Sequence, residues 1–105
     1  MGRRENYVEG YLVRQCKKRG FKCYKFTSPS NNGVPDRIVI GYGITAFVET
    51  KAPGEKARQL QLAVHREMRR HGAIVYVADT REGIDRILDE LIEKGTSNGW
   101  KKPQT

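Results

Sequence analysis

Hydrophobic and polar positions follow two rhythms along this 105-residue chain, and the changes of rhythm mark its elements. From Glu5 to Arg19 the spacing is helical. Val8, Leu12, Val13 and Cys16 share one arc at about 100° per residue, and Gly20 supplies a natural stop. Phe21–Thr27 alternates at period two, with Cys23 and Lys25 on one face and Tyr24 and Phe26 on the other. The polar run from Ser28 to Gly33 reads as a loop. Two β-rich runs, Arg37–Ile40 and Thr45–Thr50, flank Gly41–Ile44 and predict a hairpin. A tight connection, Ala52-Pro53-Gly54-Glu55-Lys56, leads to a helix from Ala57 to His71. Its core stripe reads as Ala57, Leu60, Val64 and Met68, with Arg58, His65, Arg66, Arg69 and Arg70 opposite. Ala73–Val77 is a short apolar run consistent with a buried strand. Asp79-Thr80-Arg81-Glu82 then resembles a capping box ahead of Ile84, Ile87, Leu88, Leu91 and Ile92, and Gly95 ends that helix. The order α-β-β-β-α-β-α predicts an α/β domain with a central mixed sheet and helices on its faces, over residues 1–95, followed by a flexible basic tail, 96–105.

The hairpin register concentrates chemistry at one end. With Ile40 facing Thr45 and Ile38 facing Phe47, Asp36 falls opposite Glu49, and Lys51, two residues on, points to the same side. Like charges directly opposite are destabilising unless something positive sits between them, and a divalent cation would relieve the repulsion. The plain alternative is a set of solvated charges with Lys51 as salt-bridge partner. The meeting of all three at one strand end, beside a Pro-Asp and a Pro-Gly turn, favours a site. Glu9 projects into the apolar arc of the first helix and needs a partner there, unless it snorkels outward from the rim. Glu5, in the first turn, is accounted for by the helix dipole. Lys25 could reach a phosphate or simply be an exposed lysine, and the Ser28–Gly33 loop enters beside Asp36.

Composition narrows the partners. Twenty Lys+Arg against twelve Asp+Glu leave a formal charge of +8, which argues for a polyanion: nucleic acid first, an anionic membrane surface second. No hydrophobic stretch approaches the roughly 20 residues that span a bilayer, and the N-terminus carries no signal-like apolar run, so the expectation is a cytoplasmic protein without membrane association. Cys16 and Cys23 lack metal-site spacing with His65 and His71, and read as small core residues in a reducing compartment.

Pro35-Asp36, twelve residues, then Glu49-Thr50-Lys51 resembles the PD-(D/E)XK nuclease superfamily. More narrowly, Gly33-Val34-Pro35-Asp36-Arg37, Phe47-Val48-Glu49-Thr50-Lys51, Pro53-Gly54 and Gln61 resemble the VRR-NUC (virus-type replication-repair nuclease) family, over roughly Glu5 to Asp79. The resemblance implies a restriction-endonuclease-like core and Mg²⁺- or Mn²⁺-dependent hydrolysis of DNA, with no small-molecule cofactor. It implies Asp36, Glu49, the Thr50 backbone carbonyl and Glu9, directly or through water, around the metal. Lys51 would orient or deprotonate a water or offset the charge of the transition state. Gln61 would be an auxiliary site residue, and Lys25, Ser28, Lys56, Arg58, Arg66 and Arg69 would contact DNA. Small stand-alone relatives resemble dimeric Holliday-junction resolvases, so branched or double-stranded DNA and a homodimer are expected, in a replication or repair role inside the cell, a host cell if a phage or virus encodes the chain. The competing readings are a monomeric nicking or flap nuclease and a basic nucleic-acid-binding module that does not cleave.

Overall fold

A computed structural model describes residues 7–104; Glu5, placed at the helix start by its sequence, lies outside them. The elements are α1 (Tyr7–Arg19), β1 (Lys22–Lys25), β2 (Arg37–Gly41), β3 (Ile44–Thr50), α2 (Gln59–Arg70), β4 (Val75–Ala78) and α3 (Arg81–Ser97). The expected order α-β-β-β-α-β-α holds. The strands form one mixed sheet in the order β1-β2-β3-β4, with the first three antiparallel and β4 parallel to β3. A crossover must separate β3 from β4, since they pair in parallel, and α2 lies within it.

Alternation along each strand gives the sheet two unlike faces. Val39, Ala46, Val48 and Ala78 point to one side, where α1 and α3 bury Val8, Leu12, Cys16, Ile84, Ile87, Leu88 and Leu91 against them. That layer is the core. Ile38, Phe47, Glu49 and Val75 point to the other side, where α2 lies. Cys16 and Cys23 are free thiols that meet between α1 and β1; the hydrogen bond between them, with burial, pushes the Cys16 thiol upward.

The hairpin pairs Arg37 with Val48, Ile38 with Phe47 and Ile40 with Thr45, the predicted register. Its loop is shorter than the four residues expected, because Gly41 and Ile44 pair and only Tyr42 and Gly43 turn the chain. Both have positive φ, 57° and 77°, as a two-residue turn matching strand twist requires. The tyrosine tolerates that conformation because its ring packs on Phe21 and Trp100, each 5.0 Å between centroids, while its hydroxyl donates to the Arg19 carbonyl.

The periodicity misplaced several edges. Val13 is 37 % exposed rather than buried with Val8 and Leu12. Strand β1 stops at Lys25, two residues short, and β4 runs to Ala78 rather than Val77. Thr80, not Asp79, caps α3, accepting from the Gly83 N–H at 2.9 Å. Helix α3 continues through Gly95 to Ser97. Gly95 is a packing residue: a Cβ there would lie 2.2 Å from the Tyr42 carbonyl oxygen. Beyond it Trp100 folds back on Tyr42, so the chain past residue 95 begins with an anchored aromatic.

The largest departure is in α2, which starts at Gln59. Leu60, expected in the core, is 54 % exposed, whereas His65, expected on the basic outer face, is fully buried. The helix is rotated so that Gln61 reaches Glu49 and Arg69 reaches the Val75 carbonyl. No described helix is long and apolar enough to cross a membrane.

Candidate active site

Asp36 and Glu49 stand at the same end of the β2–β3 pair, extending the register by one step. Glu49 is 5 % exposed. Its Oε2 accepts from Gln61 Nε2 at 3.0 Å and lies 3.3 Å from Lys51 Nζ. Its Oε1 is buried and has no partner among the described residues. Asp36 is held by the residue next to Glu49: the Thr50 N–H donates to Oδ1 at 3.1 Å and the Thr50 hydroxyl to Oδ2 at 3.0 Å. The middle residue of Glu-Thr-Lys therefore positions the aspartate, a role the side-chain alternation alone did not reveal.

Burial pushes the Glu49 carboxyl above the usual carboxylate range. The nearby Asp36 charge adds to this, and Lys51 and the Asp36 N–H oppose it. Asp36 is likewise raised by burial, against the Thr50 hydrogen bonds and with help from the charge of Glu9. Two acids kept close at a buried strand end, each hard to ionise, make a place where a cation is strongly favoured.

Glu9 does not join them as an equal. Its Oε2 accepts from Lys25 Nζ and Arg37 Nε, both at 2.9 Å. Burial works against its charge, but these two cations hold its carboxyl below the usual range. Among the described residues no three acids, histidines or cysteines converge on one point. Glu9 thus stands at the rim, linked to the site through Arg37, the residue after Asp36. Arg37 is missing from the sequence-based set. Its place on the opposite strand face from Asp36 follows from alternation, and with it the chance of meeting α1.

A cleft of about 390 Å³ opens over the acids, lined by Lys25, Phe26, Ser28, Asn31, Asp36, Glu49 and Gln61. Lys25 and Ser28 therefore both border the cleft, Lys25 already paired with Glu9. Gln61 does double duty: its Oε1 accepts from the Arg58 N–H at 2.9 Å, closing the start of α2, while its Nε2 fixes Glu49. Lys56, Arg58 and Arg66 are exposed on or before α2. Arg69 already donates to the Val75 carbonyl from Nε at 3.2 Å and from Nη2 at 2.7 Å, which ties its guanidinium to β4. His65 lies one helical turn beyond Gln61, and among the described residues neither ring nitrogen reaches a partner in hydrogen-bonding geometry. Burial, then the charges of Arg69 and Lys51, push its pKa down, outweighing the Gly33 backbone, which favours the cation.

No family model matches the chain. It is 44 % identical over 80 residues, 75 % of its own length and 86 % of the relative's, to a protein named "Putative nuclease p44" from Acyrthosiphon pisum secondary endosymbiont phage 1. Among solved structures it superposes on a VRR_NUC domain with a TM-score of 0.73 and 28 % identity, covering 81 % of this chain and 94 % of that one. Sheet order, hairpin and the Asp36, Glu49, Lys51 set together define a PD-(D/E)XK nuclease. Within that class the chain belongs to the VRR-NUC family.

Proposed function

We propose that the protein is a Mg²⁺- or Mn²⁺-dependent endonuclease that hydrolyses phosphodiester bonds in DNA. The observation that carries this reading is the unpartnered, buried Glu49 Oε1 beside Asp36. A buried polar atom without a partner costs roughly 1–3 kcal/mol, and a hard oxygen-seeking cation is the ligand that best answers two carboxylates. Asp36 and Glu49 would hold the ion, with the Thr50 carbonyl and Glu9, through water, as further oxygen donors. Bound there, the ion would neutralise developing charge and acidify a water. Lys51 Nζ, 3.3 Å from Glu49 Oε2, would orient the attacking water or offset the charge developing on the phosphate oxygens. Gln61 and Thr50 keep the two carboxylates in place, and Gln61 acts as a positioning residue. Lys25, Ser28, Lys56, Arg58 and Arg66 serve the phosphate backbone.

The preferred substrate is branched DNA, cut in replication or repair; the phage source of the relative fits action inside an infected cell. Symmetric cutting of two strands by so small a domain calls for a C2 homodimer, to which the exposed Leu62 contributes. The test is a cleavage panel of four-way junction, flap, bubble and duplex DNA with Mg²⁺ or Mn²⁺, alongside sedimentation. Cleavage should be lost in Glu49→Ala and Asp36→Asn with DNA binding retained, and lost in Lys51→Ala with metal still bound. No cleavage of any substrate by the wild type would leave a DNA-binding module. Full activity in Lys51→Ala would remove its role.

A further inference from the structure

The sheet face that carries Asp36 and Glu49 is covered only in part. Helix α2 lies over it beside Glu49 and Val75, while α1 and α3 pack on the opposite face, and no described helix crosses β1 and β2 here. The register lays out the uncovered surface in rows. Phe26 adjoins Asp36, with its N–H donating to the Asp36 carbonyl at 2.9 Å, and that row runs on through Glu49 to Val77. The next row is Tyr24, Ile38 and Phe47; the one after is Lys22, Ile40 and Thr45. Successive rows on one face are ~7 Å apart, twice the rise per residue, about the step of one nucleotide in an extended strand. Tyr24 is 53 % exposed and Ile40 39 %. Phe26 connects this surface to the cleft, lining it while its ring packs on Phe47 at 5.5 Å.

We propose that this face carries unpaired nucleotides of the substrate strand, with a base stacked on Tyr24 one row from the acids and the backbone running past Lys22. The inference rests on the nuclease reading above and narrows its substrate to DNA with unpaired nucleotides beside the cleaved bond, such as a flap or a splayed junction arm. An exposed ring on a sheet, flanked by lysine and continuous with a phosphate-accepting cleft, suits single-strand stacking, which tolerates any base. The net charge of +8 suits the same partner. A second copy of the chain is the poorer occupant, because Lys22 and Thr45 interrupt the apolar positions and both are exposed.

The experiment measures metal-free binding in EDTA of a labelled single-stranded oligonucleotide and of a blunt duplex by anisotropy. It compares wild type with Tyr24→Ala, Tyr24→Phe and Tyr24→Trp, all checked for equal melting temperature. Tyr24→Ala should weaken single-strand binding roughly 5- to 150-fold, the equivalent of one lost stack, and leave duplex binding unchanged. Phe and Trp should restore it. A 2-aminopurine base in the strand should be quenched by wild type and not by Tyr24→Ala. Unchanged single-strand binding, an equal loss on duplex, or a wild-type dimer that Tyr24→Ala dissociates would each overturn the proposal. Cleavage is scored separately with Mn²⁺. Tyr24-dependent binding without cleavage sinks the nuclease reading alone, and cleavage without Tyr24 dependence sinks this one alone.

Discussion

Burial raises the pKa of both Glu49 and Asp36, so their ionisation favours the unfolded chain. A raised folded-state pKa means that the stability these groups contribute is complete below the ordinary carboxylate range and is lost as pH rises through their folded values. At neutral pH the site therefore weakens the fold. Glu49→Gln should raise the melting temperature at pH 7, although Lys51 loses its partner, and the gain should vanish below about pH 4, where both proteins carry a neutral group. Calorimetry across that range checks it, and a destabilised variant at pH 7 would mean that the Lys51 pair outweighs burial. A bound cation should reverse the balance. At a hundred times its dissociation constant Mn²⁺ would stabilise the wild type by about 2.7 kcal/mol, or about 4 °C per kcal/mol for a domain of this size. Glu49→Gln, lacking the charge, should show little of that rise.

Single elements differ in how much their sequence discloses. The register of the β2–β3 hairpin, though not the length of its turn, was readable to the residue because a period of two leaves no freedom: once Ile38 faces Phe47, Asp36 must face Glu49. Helix α2 was misread because its orientation is set by a few specific polar contacts rather than by its apolar stripe. Leu60 and His65 are five residues, hence about 140°, apart on a helix, and binding of Gln61 to Glu49 and of Arg69 to Val75 chooses the His65 side. The Thr50 N–H and hydroxyl bonds to Asp36, and the role of Arg37, were missed for a related reason, since these contacts follow from tertiary placement. The buried imidazole has a measurable consequence. Its lowered pKa means that stability is whole above its ordinary value, about 6.5, and is lost as pH falls towards the folded value. His65→Leu, of similar size and without the imidazole nitrogens, should fold at least as stably at pH 7 and lose the part of the acid sensitivity that sets in below about 6.5; chemical denaturation at pH 5.5 and 7.5 separates the two. Helix α3 offers the opposite case. Gly95→Ala would ordinarily strengthen a helix by about 1 kcal/mol, but the Tyr42 carbonyl leaves no room for a methyl group. The net result should be a destabilisation of about 1–3 kcal/mol, the usual size for overpacking, read as a lower melting temperature.

For the whole molecule, net charge and fold act on different quantities. The excess of eight positive charges says nothing about why the sheet forms, but it sets how strongly DNA binding depends on salt, because each neutralised phosphate releases counterions and steepens the dependence by about 0.9. The arginines counted from the sequence are not placed alike. Arg58 and Arg66 are exposed on the helix that walls the cleft, whereas Arg69 is committed to the Val75 carbonyl, tying α2 to the edge strand. The two kinds should separate in one experiment. Arg58→Ala with Arg66→Ala should weaken DNA binding at every sequence and lower the slope of log K against log salt by up to about 2, with the melting temperature nearly unchanged. Arg69→Ala should leave the slope alone and lower stability, by about 1 kcal/mol for a lost hydrogen-bonding side chain. A reduced slope in Arg69→Ala at unchanged stability would mean that its guanidinium leaves the carbonyl for a phosphate. DNA would then compete directly with the packing of α2 on β4.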